Sequence, residues 1–207
     1  VRNPWLDIPL DDYEGHMSLL SVNQARFIAD QLELAIKECS PQSVAIVGCA
    51  GGNGLERISR GQLDRVVAVD VNPEYVERTR ARHANRLHNL ELYCGDIQSD
   101  ALRYDPVDLT YAALLFEYVH VSSALATIRR NSRPGAFLKV MLQLPHVSQD
   151  PVSSSPYVTL TALAPALRLL TPESFSNAAI ETGFRAGDST TLELPSGKQF
   201  SIMTFRL

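Results

Sequence analysis

The residues best suited to chemistry are two carboxylates and a run of small residues, each placed at the end of a short apolar stretch. Val44-Ala45-Ile46-Val47 stops at Gly48-Cys49-Ala50-Gly51-Gly52-Asn53-Gly54. Side chains this small let the backbone approach a ligand closely and aim helix N–H groups at it. Gly48 permits a tight turn off the strand, and Gly52 and Gly54 let the next helix begin close to the sheet. Asp70 ends the second apolar stretch, Val66-Val67-Ala68-Val69. It stands about 20 residues past the loop, where a carboxylate accepts hydrogen bonds from ribose hydroxyls. A helix-cap role is the other reading of Asp70, but Asn72, just before Pro73, caps by itself and leaves Asp70 free. Gly95-Asp96-Ile97 follows a third stretch. There a carboxylate can accept from an adenine amino group while Ile97 packs on the ring face. An Asp in a turn is common. Suitable residues at three consecutive strand ends are harder to dismiss, because ligands of open parallel sheets sit at those ends.

The elements that position these residues alternate. Val1 to Met17 reads as an irregular arm. Ser21-Val22-Asn23-Gln24 can form a capping box for a helix whose inner face is Phe27, Ile28, Leu32, Ala35 and Ile36, ended by Ser40-Pro41. After the first strand, Leu55 and Ile58 suggest a helix. Further strands are expected at 66–69, 90–93, 107–112 and 137–144, with helices opening at Asn72-Pro73 and spanning about Ser122 to Arg130. Arg133-Pro134-Gly135 reads as the turn into the fifth strand. Residues 145–170 break the rhythm with Pro145, Pro151, Pro156 and Pro165, and read as a loop-rich insertion with a short helix at its end. A loop that long suggests a lid or substrate wall. A last helix starts at Thr171-Pro172, carries Phe175, Ala179 and Ile180 inward and stops at Gly183. Runs 190–194 and 199–207 close the chain as a hairpin about Pro195-Ser196-Gly197-Lys198. The pattern implies an α/β fold: a Rossmann-like, doubly wound, mostly parallel sheet. It divides the chain into an N-terminal arm and helix (1–42) and a cofactor-binding domain (43–207).

Composition narrows the function. The 207 residues are 45% hydrophobic and 20% charged, ordinary for one soluble domain, and the net charge is −4. An acidic balance argues against a nucleic-acid partner, and no apolar run is long enough for a membrane span. Cys39, Cys49 and Cys94 are odd in number and widely spaced, which indicates neither a disulfide framework nor a zinc site. With no disulfide framework the cytoplasm is the default compartment, and the histidines have no metal-ligand spacing, so no metal is expected.

From Val44 to the C-terminus the sequence resembles the class I S-adenosylmethionine-dependent methyltransferases. Val44 to Gly54 is similar to the family's glycine-rich first motif, Val67 to Val71 to the second with its ribose-binding acid, and Cys94-Gly95-Asp96-Ile97 to the adenine-holding third. Val107 to Leu115 resembles the fourth, whose backbone lies beside the methionine part. Arg133 to Leu138 and Leu170 to Phe175 resemble the turn into the fifth strand and the last helix. The closing hairpin fits the antiparallel seventh strand of that fold. Two positions depart: Ile46 stands where the first motif usually has an acid, and Ala50 where it has a middle glycine. The resemblance implies seven strands, S-adenosylmethionine as cofactor with S-adenosylhomocysteine as product, and a cofactor site of Gly48, Cys49, Ala50, Gly52, Asn53, Asp70, Val71, Asp96, Ile97, Ala112 and Ala113.

Methyl transfer from a sulfonium needs alignment and exclusion of water, and a base only where the acceptor must lose a proton. Glu117 and His120, after the fourth strand, are candidate bases. Tyr118, with Tyr13, His16 and Met17 from the arm, is a candidate contact for the acceptor, which is expected to be a small molecule. Two other readings use the same loop. One is a nicotinamide-dependent reductase, whose Gly-x-Gly-x-x-Gly fingerprint Ala50 breaks. The other is an S-adenosylmethionine-binding protein without catalysis.

Overall fold

The computed structural model describes residues 3–145 and 153–207. Strands β1 (Ser43–Val47), β2 (Arg65–Asp70), β3 (Leu90–Cys94), β4 (Val107–Ala113) and β5 (Ser132–Gln143) run parallel, and β6 (Arg185–Glu193) and β7 (Gln199–Arg206) complete one seven-stranded sheet. The order is β3-β2-β1-β4-β5-β7-β6, with β7 antiparallel to both of its neighbours. All five residues of β1 are buried. That is the condition under which a strand reads as an unbroken apolar run rather than an alternation. Val47 pairs with Val69 on one side and Ala112 on the other. This register brings Gly48, Asp70 and Ala113 to one edge. The chain leaves β1 toward β2, while β4 lies on the opposite side, so the crevice between them is a topological switch point.

Five α-helices cover the sheet: α1 (Leu10–Ser18), α2 (Gln24–Cys39), α3 (Pro73–His83), α4 (Val121–Arg130) and α5 (Pro172–Glu181). Ile28, Leu32, Ala35 and Ile36 of α2 pack with Val44, Ile46, Leu109 and Tyr111 on one face. Leu125 and Ile128 of α4, and Phe175 and Ala179 of α5, pack with Val47, Val69, Leu138 and Val140 on the other. Asn72 caps α3 by accepting from Glu74 N at 2.9 Å, and Thr171 Oγ1 caps α5 by accepting from Ser174 N at 3.1 Å. Both helices open with Pro, as the sequence leads one to expect.

Several expectations are corrected. The arm is not irregular, because α1 lies within it. The capping box at Ser21 does not form. Helix α2 begins after Asn23, whose φ of 50° puts it in the left-handed region with no side-chain cap bond. The helix expected after the glycine loop is a single 3-10 turn, Leu55–Arg57. Gly52 (φ 88°) and Gly54 (φ 90°) sit in conformations a right-handed helix does not contain, and glycines are poor helix formers. Leu55 and Ile58 still enter the core, against α2. Ile180 is on the exposed side of α5, half open to solvent. β6 starts at Arg185, earlier than position 190. The Arg133–Gly135 turn is a bulge inside β5, where pairing with β4 jumps from Ser132 to Phe137. In the 145–170 insertion a 3-10 helix, Val158–Leu163, replaces the short helix expected at the end. Residues 146–152, with Pro151 of the insertion's proline run, lie outside the described residues. No helix among the described residues is long and apolar enough to cross a membrane.

Candidate functional site

A cavity opens at the C-terminal ends of β1, β2 and β4. Gly48 and Ala50, Asp70 and Val71, Asp96 and Ile97, and Ala113 to Leu115 line it, with Trp5, Tyr13, Tyr75 and Tyr118. The three strand-end signals therefore meet at one place.

Asp70 is its most constrained group. It is only 8% exposed, and its two oxygens accept from Ala50 N at 2.8 Å and Asn72 N at 2.9 Å. Burial pushes its carboxyl up to about 6, against the pull of those backbone N–H groups. Each oxygen keeps a second lone pair for a donor from the cavity. Asp96 accepts from Gln98 N at 2.9 Å in a turn of its own, and Ile97 is buried beside it.

Two residues at the switch point are held in left-handed backbone: Ala50 (φ 47°) in the loop after β1 and Leu114 (φ 53°) just past β4. Such conformations cost a non-glycine residue roughly 1–2 kcal/mol, and sites of this kind are where strain accumulates. Ala50 keeps the loop shape that a glycine would give. Gly48 also has positive φ, 73°, and a Cβ there would meet Leu115 Cδ1 at 3.2 Å. Gly48→Ala is expected to destabilise the fold by roughly 1–2 kcal/mol, lowering Tm by about 2–8 °C. A thermal melt unchanged by the substitution would show that the turn does not need glycine.

The arm forms the roof. Asn72 Nδ2 donates to Trp5 O at 2.8 Å and Tyr75 Oη donates to Ile8 O at 2.9 Å. Arg78 pairs with Asp11 at 2.8 Å and Arg82 with Glu14, next to Gly51. The Trp5 ring meets Tyr13 edge-on at 5.4 Å and Tyr118 at 5.0 Å. Beyond that aromatic cluster lies a second chamber, bounded by Trp5, Tyr13, Leu114 and Tyr118 on the near side. On the far side it is bounded by His16, Met17, Gln24, Leu160, Leu163, Leu167 and Lys198.

Not every expected residue reaches these spaces. Cys49 is buried behind the loop, its thiol pushed well up by burial. Gly52 lies against His83, and Asn53 donates from Nδ2 to Ala25 O at 2.9 Å, tying the loop to α2. Both border a cleft with Glu14, Arg82 and His83 instead. Ala112 is sealed within the sheet. Glu117 is 2% exposed and accepts from Gln143 N at 2.7 Å, away from the cavity. His120 is exposed at the start of α4, its backbone N donating to Gln98 Oε1 at 2.8 Å. Neither candidate base is therefore brought to the site. Sequence reasoning also missed Trp5 and Tyr75, and it placed Leu114 and Leu115 in the fourth motif without naming them as cofactor contacts. The chain's single Trp was a usable signal for the arm. Among the described residues, no group of three His, Cys, Asp or Glu is placed to hold a metal ion.

Residues 44–135 match the family model for a methyltransferase domain. A search of curated proteins returns no match. Solved structures match widely. The N-methyltransferase NodS of Bradyrhizobium japonicum, in complex with S-adenosyl-L-homocysteine, superposes with a TM-score of 0.68 at 15% identity, covering 88% of this chain and 86% of its own. The 1,6-didemethyltoxoflavin-N1-methyltransferase of Burkholderia thailandensis gives 0.64 at 18% identity, covering 88% and 77%. The [4+2]-cyclase SpnF gives 0.67 at 17% identity, covering 86% and 80%. At such identities the likeness speaks for the fold, and the family match speaks for residues 44–135. Together with the strand order, they show that residues 44–135 are similar to a methyltransferase domain and that the chain shares the seven-stranded fold of these structures.

Proposed function

We propose that the protein is an S-adenosylmethionine-dependent methyltransferase acting on a small molecule. The observation that carries this reading is the convergence of Asp70, Asp96-Ile97 and the Gly48–Ala50 turn on one cavity roofed by aromatic rings. The residues fit the cofactor. Asp70 has lone pairs for ribose hydroxyls, and Asp96 and Ile97 offer an acceptor and an apolar face for adenine. Ala113 and Leu114 present backbone on the side where the methionine part belongs. Ile46, where the family usually has an acid, is buried among apolar residues. Recognition of the amino end therefore falls to the loop and to the arm, whose Asn3, Trp5 and Tyr13 line the cavity.

When bound, S-adenosylmethionine supplies an activated methyl group whose leaving group is a neutral thioether. What remains for the protein is alignment and dryness. Trp5, Tyr13 and Tyr118 stand between the two chambers and exclude water from the line joining them. A roof tied down this closely leaves room for a small acceptor rather than a polymer, and the acidic net charge agrees. The toxoflavin enzyme, solved with bound 1,6-didemethyltoxoflavin, offers a parallel for a small-molecule acceptor.

The test is calorimetric titration with S-adenosylhomocysteine, with NADH and NADPH as controls. Saturable binding of S-adenosylhomocysteine alone is expected. Binding of a nicotinamide in its place would move the protein to the reductases, and no binding at all would overturn the cofactor assignment.

A further inference from the structure

We propose that His16 is the general base of this enzyme and that its acceptor is a flat, apolar molecule presenting an aromatic hydroxyl. This deepens the reading above and rests on it. The second chamber adjoins the cofactor cavity across the rings of Trp5, Tyr13 and Tyr118, which line both, and the proposal seats the acceptor there with its reacting end toward the cofactor. Its far wall is built by Leu160 and Leu163 of the insertion, both buried, with Leu167. Aromatic edges on one side and leucines on the other suit a planar apolar body.

The polar groups decide the reacting end. His16, on the last turn of α1, is 6% exposed, and its Nδ1 is buried without a hydrogen-bond partner. An orphaned buried nitrogen is costly, a cost removed once a ligand donates to it. With the ring proton on Nε2, Nδ1 offers a lone pair. Burial, and then the charge of nearby Lys198, lower the pKa of the imidazole, so it is neutral and able to accept a proton at pH 7. Among the described residues no Asp or Glu lines this chamber. An ammonium acceptor would thus enter this chamber without a counter-charge and beside the ammonium of Lys198, which is costly. A carboxylate acceptor would already be ionised and would need no base. A hydroxyl on an aromatic ring matches both facts: it is neutral on entry, and it must lose a proton to attack well. The step balances. The acceptor's O–H bond breaks and its proton passes to His16 Nδ1. An oxygen lone pair forms the bond to the methyl carbon, and the C–S bonding pair leaves with the sulfur as a neutral thioether. The imidazolium then releases its proton to solvent.

The experiment uses 2-naphthol as probe and Trp5, the chain's only Trp, as reporter. With S-adenosylhomocysteine bound, 2-naphthol should quench Trp5 fluorescence saturably. With methyl-labelled S-adenosylmethionine the enzyme should form 2-methoxynaphthalene. His16→Gln should lower kcat at least 100-fold, within the range typical of a general base, while changing KM and the quenching midpoint less than about threefold. Leu167→Phe, which narrows the far wall, should weaken 2-naphthol quenching and leave S-adenosylhomocysteine binding unchanged. Turnover within a few-fold of the parent in a folded His16→Gln variant would remove His16 as the base. Absence of quenching by 2-naphthol, in protein that binds S-adenosylhomocysteine, would remove the acceptor class. If His16→Gln fails to fold, the parent and Leu167→Phe measurements still decide the acceptor class, and His16→Asn repeats the test of the base. Failure of S-adenosylhomocysteine itself to bind would instead overturn the underlying cofactor reading.

Discussion

Asp70→Asn is expected to weaken S-adenosylhomocysteine binding by 10- to 100-fold and to remove its pH dependence between pH 5 and 7. The magnitude is that of losing charge-assisted hydrogen bonds to ribose hydroxyls, about 1.5–3 kcal/mol. The pH dependence follows from the position of the group. Burial raises the Asp70 carboxyl from 3.8 to about 6, so at pH 5 most of the free protein carries it protonated. Hydroxyl donors favour the ionised form. Affinity of the parent should therefore rise about tenfold from pH 5 to pH 7 and then level off. For the ligand-free fold the sign is opposite. A raised carboxyl pKa contributes stability that is fully present below the unfolded value and is lost as pH rises through about 6. The variant has a second effect, on the scaffold. Asp70 accepts from both Ala50 N and Asn72 N. An amide can accept from only one of them and sets its own N–H₂ against the other, so a lower Tm is also expected. Calorimetry at pH 5, 6 and 7, below the melting transition, separates the two. A parent affinity that is flat over this range, or a variant that binds as tightly as the parent, would refute the assignment of Asp70 to the ribose.

The sequence showed these strand ends clearly because each joins an apolar-rich run, buried in β1 and β2 and half-buried in β3, to a residue type that the sheet alone does not require. Five parallel strands and the closing hairpin were legible for the same reason, and so were the capped starts of α3 and α5, where Asn72-Pro73 and Thr171-Pro172 are local signals that tertiary contacts do not override. The helix expected after the glycine loop failed because Leu55 and Ile58 have helical spacing but also face one core when the chain makes a single tight turn. The positive φ angles of Gly52 and Gly54 chose the turn. The candidate bases Glu117 and His120 lie outside the cavity lining for a different reason. Proximity in sequence to the end of β4 does not say which way a side chain points, and Leu114, in left-handed backbone, redirects the chain before Glu117. The roof was half legible: Tyr13, His16 and Met17 stood out by type. The helix that presents them did not, because Gly15 and a short, polar span hide its periodicity.

Glu117 offers the second large effect. Although displaced from the cavity, it is fully buried, one oxygen accepting from Gln143 N at 2.7 Å and the other lacking a partner. Burial raises its carboxyl from 4.5 to about 7, against the lowering effect of backbone N–H groups. The fold prefers the protonated form of this group: its contribution is complete below pH 4.5 and fades as pH rises through 7. A rise from 4.5 to about 7 corresponds to about 3 kcal/mol across that window. Glu117→Gln keeps an acceptor for Gln143 N and carries no charge to desolvate, so it should lose none of this. The expected result is a difference in Tm between variant and parent that grows in the variant's favour from pH 4.5 to pH 8, by roughly 6–12 °C for a chain of this size. Comparing the two proteins at each pH cancels every other titrating group, Asp70 included. A difference that stays constant over the range would mean that Glu117 is not desolvated as its burial implies. It would also reopen the possibility that its loop moves to bring the carboxylate to the cavity. A growing difference, with turnover retained in the variant, would mark Glu117 as a proton-bearing anchor between the loop after β4 and the end of β5. In that case the chemistry would have to draw its base from the arm rather than from the loop where the sequence first suggested it.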